Sequence, residues 1–167
     1  MLNFNKYFWL SLLLIFEACS FEKNQFNSQI GIVKLKNIND SLNIIQHIVN
    51  DSIISEWELK YPIYNFDYGD LNSDGENEIV VGVVKKTRYW KKGNRLFIYK
   101  LYNGKLIRPL WLGSRLGGEI LDFKVERDSI PARIFTIEDY NDSIVNVMYS
   151  LGGFGLNYQK IINVKYK

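Results

Sequence analysis

The sequence predicts an all-β protein. Aromatic residues make up 15% of the 167 residues, with eleven Tyr and ten Phe, and Val and Ile are frequent. β-Branched and aromatic side chains suit the half-buried surface of a pleated sheet. Three Pro and twelve Gly are too few for a disordered or low-complexity chain. The length is sufficient for one domain with a hydrophobic core, so we expect strands joined by turns.

The first 18 residues have the pattern of a signal peptide. Lys6 supplies a positive charge, and an apolar run extends from Tyr7 to Phe16. That run is too short to span a bilayer but suits the apolar region of a signal peptide. It ends in Ala18 followed by Cys19, which resembles the lipobox of bacterial lipoproteins. The resemblance implies that Cys19 is lipidated and becomes the new N-terminus; the alternative is an ordinary signal peptide.

The segment after the lipidation site is interpreted as a tether. Residues 19–28 are mostly polar and would connect the lipid to the folded domain. Ser20 and Glu22 resemble a surface-export signal of some Gram-negative bacteria. We therefore expect a protein of the cell envelope, anchored to a bacterial membrane by its N-terminal lipid, at the outer membrane or the cell surface.

Oxygen-bearing side chains are concentrated between residues 70 and 78. Those at positions one, three, five and nine of this segment are Asp70, Asn72, Asp74 and Glu78. Gly75 lies at position six, where a sharp turn requires a residue without a Cβ, and Glu76 would offer its backbone carbonyl. A hard cation such as Ca²⁺ prefers six to eight oxygen ligands. The segment is therefore a candidate calcium loop; the alternative is a polar turn whose carboxylates face water.

The residues after the loop distinguish between calcium-binding families. The EF-hand pattern requires Glu at position twelve, where this chain has Val81. Residues 79–84 are apolar and β-branched, which predicts a buried strand rather than a helix. A D-x-N-x-D-G-x-x-E loop before a strand resembles the FG-GAP/VCBS calcium loop, whose family builds β-propeller blades. The resemblance implies Ca²⁺ held by Asp70, Asn72, Asp74, Glu76 and Glu78.

Repeated hairpins indicate the architecture. Residues 42–57 align with 95–111 as strand, two-residue turn, strand and Trp; the turns are Asn50-Asp51 and Asn103-Gly104, and Asn-Gly is a strong hairpin signal. A weaker third copy covers 144–156. The strands preceding these hairpins are predicted at 29–33, 78–82 and 133–137.

We therefore expect about three antiparallel β-units over residues 29–167, resembling a partial propeller. The oxygen ligands do not repeat, so we expect one metal. Closed propellers have four to eight blades. Three units would form an open array, a compact β-sandwich, or half of a six-bladed dimer, and self-association is an expected outcome.

One short stretch combines basic and aromatic residues. Between Lys85 and Lys92 lie Arg88, Tyr89 and Trp90, a candidate ligand face because aromatic residues anchor interfaces. The alternative is a solvated hairpin tip. The net charge is only +3, so we expect no nucleic-acid partner.

The sequence offers little for catalysis. It has one Cys and one His, which excludes an intramolecular disulfide and makes a Cys/His zinc site improbable. A Ser-His apparatus would depend on His47, which we expect to be an ordinary strand residue. The expected function is a calcium-binding β-repeat module for a protein or glycan ligand, not an enzyme. The alternatives are an accessory domain of a hydrolase and a self-associating structural protein.

Overall fold

Twelve β-strands make up the described part of the chain, residues 24–113 and 115–167 of a computed structural model. The predicted signal peptide and the predicted lipidation residue, Cys19, lie outside these residues. The first six strands are β1 Gln25–Asn27, β2 Ile32–Asn39, β3 Leu42–Val49, β4 Ser52–Leu59, β5 Ile63–Gly69 and β6 Glu78–Lys85. The others are β7 Gly93–Tyr102, β8 Leu106–Leu112, β9 Glu119–Glu126, β10 Arg133–Asp139, β11 Ser143–Gly152 and β12 Gly155–Tyr166.

The strands form three four-stranded antiparallel sheets. Each sheet takes four strands in chain order: sheet A contains β1–β4, sheet B β5–β8 and sheet C β9–β12. The strands account for 67% of the described residues, and no helix occurs in those ranges. The prediction of an all-β protein with three antiparallel units is therefore confirmed, and the three sheets do not close into a ring.

Two hairpin turns have the geometry predicted from sequence. Asn50 and Asp51 have φ of 49° and 59°, and Asn103 and Gly104 have φ of 52° and 64°. Positive φ at both central positions is the requirement of a type I′ turn, whose twist matches that of the flanking strands. Asn, Asp and Gly tolerate this conformation. The aligned segments become hairpins of neighbouring sheets, β3–β4 in sheet A and β7–β8 in sheet B. The first pairs Val49 with Ser52 across the predicted two-residue turn, whereas the second pairs Tyr102 with Leu106 and so has three residues in its turn.

Sheet B is the middle layer and is buried on both faces. In β6, Ile79, Val81 and Val83 belong to the core shared with sheet A, whereas Val80 belongs to the core shared with sheet C. Successive strand residues point to opposite faces, so a strand buried on both sides must be apolar at every position. This explains the continuous apolar run from residue 79 to 84.

A polar seam joins β5 of sheet B to β9 of sheet C. The Asn65 amide nitrogen donates to the Asp122 carboxylate and to the Phe123 carbonyl oxygen, each at 2.7 Å. The Asp67 carboxylate accepts a hydrogen bond of 2.6 Å from the Val125 backbone N–H. Side chains of β5 thus satisfy polar groups of β9, which fixes the position of one sheet against the other.

The structure differs from the predicted tether in residues 25–27. These residues form β1, which pairs with β2 in sheet A. Phe26 is buried, and its ring stacks on that of Tyr68 with centroids 4.3 Å apart. Burial of this aromatic side chain therefore stabilises an otherwise polar segment as a strand of sheet A. The β domain begins by Gln25 rather than at residue 29. Among the described residues, no helix is long and apolar enough to cross a membrane.

Gly69 tests the close contact between sheets B and C. A Cβ at this position would lie 2.7 Å from Val125 Cγ1 and 3.2 Å from Ala132 Cβ. Val125 is stiff because it is β-branched, so we expect Gly69→Ala to lower the free energy of unfolding by about 1–3 kcal/mol. Chemical denaturation measures the change. Gly153→Ala is the control, since a Cβ there meets nothing within 4 Å; equal stability of the two variants would contradict the contact.

Candidate metal loop and inter-sheet cavity

The candidate calcium loop connects β5 to β6. It begins after Gly69, the last residue of β5, and ends at Glu78, the first residue of β6. Gly75 has φ of 82°, so the sharp turn lies where the sequence predicts it and uses a conformation that glycine adopts without strain.

Asp70 organises the loop backbone. Its Oδ1 accepts hydrogen bonds from the backbone N–H groups of Ser73, at 2.6 Å, and Asp74, at 3.2 Å. Its Oδ2 accepts a hydrogen bond of 3.0 Å from the Gly75 N–H. One carboxylate thus fixes three successive residues of the turn.

Asn72 connects two other predicted ligands. Its amide nitrogen donates to Asp74 Oδ2 at 3.0 Å and to Glu78 Oε1 at 2.9 Å. Glu76 lies apart from this group: a Cβ on Gly104 would be 3.4 Å from Glu76 Oε1, so its side chain extends towards the β7–β8 turn. The structure therefore brings together Asp70, Asn72, Asp74 and Glu78 and leaves the Glu76 carboxylate outside.

Glu78 is a buried carboxylate. The residue is only 1% exposed, and its Oε2 accepts a hydrogen bond of 2.8 Å from the Leu71 N–H. Burial raises the pKa of Glu78 to about 7; the Leu71 hydrogen bond opposes this shift, and the charges of Asp74 and Asp70 add to it. No salt bridge to Glu78 occurs within the described ranges, so the loop holds excess negative charge.

The chemistry of this donor set fits a divalent cation, although the carboxylates do not surround a common point. Across residues 24–113 and 115–167, no three His, Cys, Asp or Glu side chains are grouped so as to hold a metal ion. The Asn72 amide stands between two of the carboxylates instead. Calcium binding accordingly remains a prediction, supported by the excess charge at Glu78 and not by a formed coordination sphere.

Contacts from sheets A and C hold the loop in place. The Gln29 amide, before β2, donates to the Gly75 carbonyl oxygen at 3.4 Å. The Ala132 N–H, before β10, donates to the Asp70 carbonyl oxygen at 2.7 Å. Segments next to strands of sheets A and C thus form hydrogen bonds with this loop of sheet B.

His47 lies on β3, as predicted, and it links sheet A to sheet B. It is fully buried, with Nδ1 2.9 Å from the Lys105 carbonyl oxygen and Nε2 2.9 Å from Ser28 Oγ. Because a carbonyl oxygen only accepts, Nδ1 carries a hydrogen and donates it. The ring thereby fixes the β7–β8 turn and the β1–β2 loop against β3.

A second feature, the inter-sheet cavity, lies between sheets B and C. It has a volume of about 290 Å³. Its lining comes from the β6–β7 loop and the start of β7, from the β8–β9 connection and the start of β9, and from the end of β10 with the turn after it. The lining residues are Trp90, Lys91, Lys92, Gly93, Arg95, Arg115, Glu119, Asp139 and Asn141.

Only part of the predicted ligand face belongs to this cavity. Trp90 lines it, whereas Arg88 and Tyr89 are not among its lining residues. Tyr89 is 79% exposed, and the Arg88 guanidinium lies 5.5 Å from the centre of its ring. Sequence reasoning missed Arg95 and the residues that sheet C contributes, because separate loops bring them together.

A buried carboxylate holds the connection that carries Arg115. Glu138 is fully buried and accepts hydrogen bonds from the Gly118 N–H at 2.7 Å and from the Tyr149 hydroxyl at 2.8 Å. The Thr136 hydroxyl donates a third bond of 2.6 Å. Burial, followed by the Glu138 interaction, raises the pKa of Tyr149, so its hydroxyl remains a donor. This network fixes one wall of the inter-sheet cavity.

Comparison of the chain with family models, with curated proteins and with solved structures finds no match. The assignment of a function therefore depends on the residues and geometry described above.

Glu78 predicts a pH dependence of stability when calcium is removed by EGTA. Its pKa is about 7 in the folded protein and 4.5 ordinarily, so between these values the folded state binds more protons than the unfolded state. The contribution of Glu78 to the free energy of unfolding therefore falls as pH rises through this window. We expect the melting temperature to rise when the pH is lowered from 7.5 to 5.5, and to rise less in Glu78→Gln. Identical slopes in the two proteins would contradict the assignment to Glu78.

Proposed function

We propose that this protein is a lipid-anchored binding module of a bacterial cell envelope. Its domain would be a partial propeller resembling the FG-GAP/VCBS type, with one calcium ion in the β5–β6 loop. The proposed ligand is a protein or a glycan, and the proposed role is binding rather than catalysis. Three four-stranded meanders in chain order support the repeat architecture, because propeller blades are four-stranded sheets of this kind.

The observation that carries the calcium proposal is the burial of Glu78 beside two other carboxylates. Three carboxyl groups, of Asp70, Asp74 and Glu78, lie in one loop, and burial, together with the charges of Asp74 and Asp70, raises the pKa of Glu78. A bound divalent cation would compensate the negative charge of these groups. Asp70, Asn72, Asp74 and Glu78 would hold it with side-chain oxygens, together with the Glu76 carbonyl. The role of the ion would be structural, since it would hold the β5–β6 loop between two strands.

The binding role is supported by the position of the inter-sheet cavity. Ligand sites occur in concave regions where separate elements meet and a few polar groups converge. Three connections of sheets B and C form this cavity, with an aromatic residue and several charged residues in its lining. His47, in contrast, has both ring nitrogens engaged in contacts that hold the fold.

Thermal unfolding of the full chain in detergent tests the calcium site. A ligand that binds only the folded state at a hundred times its Kd stabilises it by about 2.7 kcal/mol. For a domain of this size that corresponds to a rise in melting temperature of about 5–10 °C. We expect this rise with millimolar Ca²⁺ over EGTA, and its loss in Asp74→Ala.

Asp40→Ala is the matched control, because Asp40 is an exposed carboxylate in the β2–β3 turn, far from the loop in sequence. It should keep the full response to calcium. If wild-type protein melted at the same temperature in Ca²⁺ and EGTA, the loop would be a solvated turn and the calcium assignment would be wrong.

Replacement of Cys19 tests the lipid anchor. With the signal peptide removed, we expect Cys19→Ser to move the protein from the detergent phase to the aqueous phase in a Triton X-114 partition, because the lipid attached to the Cys19 sulfur would be lost. Ser20→Ala is the control and should remain in the detergent phase. A Cys19→Ser protein that still partitioned with detergent after removal of its signal peptide would contradict lipidation at this residue.

A further inference from the structure

We propose that the inter-sheet cavity binds a small ligand bearing a carboxylate or phosphate group. This inference rests on the proposed binding role and gives it a site and a ligand chemistry; it does not depend on calcium.

The lining of the cavity has an excess of positive charge. Lys91, Lys92, Arg95 and Arg115 supply cations, whereas Glu119 and Asp139 supply the acidic groups. Asp139 is already compensated, because Lys167 Nζ donates to its two oxygens at 2.7 and 2.8 Å. An anion entering the cavity therefore meets four basic side chains and one acidic side chain, that of Glu119, without a salt bridge in residues 24–113 and 115–167.

Arg95 is the most deeply placed of the basic residues. It is 4% exposed, and its Nη1 and Nη2 donate to the carbonyl oxygens of Asn94, at 2.6 Å, and Lys91, at 3.1 Å. Its Nε is buried and has no hydrogen-bond partner among the described residues. No carboxylate within those residues lies within 4.0 Å of the guanidinium. Buried charges are normally paired, and an anion in the cavity would give the Arg95 guanidinium the negative partner that it lacks among the described residues.

Arg115 and Trp90 form another part of the cavity lining. The Arg115 guanidinium lies 4.8 Å from the centre of the Trp90 ring, a cation–π contact that restricts both side chains. The planar guanidinium still presents donors in the geometry that carboxylate and phosphate oxygens accept. Trp90 is 44% exposed, so its ring also offers a flat apolar surface to the body of the ligand.

Gly93 leaves the room for such a ligand. A Cβ at this position would lie 3.2 Å from Arg95 Nη1 and 3.3 Å from Glu119 Oε1. A larger side chain here would occupy the cavity beside Arg95 without a change in charge. Gly93→Val therefore distinguishes binding of an anion inside the cavity from nonspecific attraction of anions to the basic β6–β7 loop.

Isothermal titration calorimetry of the full chain in detergent tests the proposal. The probes are inorganic phosphate and trigalacturonate, with maltotriose as the uncharged control. We expect heat of binding with at least one anion, none with maltotriose, and weaker binding as salt increases. Phosphate alone would assign the site to phosphate-bearing ligands, and trigalacturonate alone to acidic saccharides; both outcomes support the proposal.

Variants determine whether the heat comes from the cavity. We expect Arg115→Gln and Gly93→Val to weaken binding at least tenfold, whereas Arg88→Gln, on the same loop as Trp90 but outside the lining, should bind as the wild type does. Circular dichroism confirms that each variant is folded. Absence of binding for both anions, or equal loss in Arg88→Gln and Arg115→Gln, would overturn the proposal.

Asp74→Ala separates this proposal from the calcium assignment. It should abolish the response to calcium and leave anion binding intact. Anion binding without a calcium response would refute the metal site alone, and a calcium response without anion binding would refute the cavity assignment alone.

Discussion

Burial of sheet B on both faces is the constraint on which the rest of the structure depends. The residues of β6 and β7 alternate between two cores: Phe97 and Tyr99 face the core shared with sheet A, and Leu96 and Ile98 face the core shared with sheet C. Burial of apolar surface provides the main favourable free energy of folding. Sheets A and C obtain theirs chiefly by packing on sheet B, so both depend on the middle sheet.

The two candidate sites lie at opposite ends of β6. The candidate calcium loop ends at Glu78 and the β6–β7 loop begins after Lys85, which separates them by about 23 Å along an extended strand. Charges this far apart are largely screened at physiological ionic strength. The acidic β5–β6 loop and the basic inter-sheet cavity can therefore keep opposite electrostatic potentials. Neither site needs the other in order to bind its ligand.

The sequence predicted features that are encoded locally. The Asn103-Gly104 turn, the buried strand after residue 78 and the turn at Gly75 each depend on neighbouring residues, and the structure contains them. The strand β1 was missed because its pairing depends on the distant contact of Phe26 with Tyr68. The cavity was missed for the same reason: Trp90, Arg95 and Arg115 meet only after sheets B and C have packed together.

The polarity of the three sheets has a consequence for how such a chain can gain or lose four-stranded units. β6 is apolar on both faces, whereas in β2 and β10 the buried residues alternate with half-buried or exposed ones. Loss of sheet A or sheet C would expose one apolar face of sheet B to water. A duplication that placed a copy of sheet B at the edge of the array would do the same. The three units are thus similar in topology but not interchangeable, and a change in their number would require compensating substitutions on the newly exposed face.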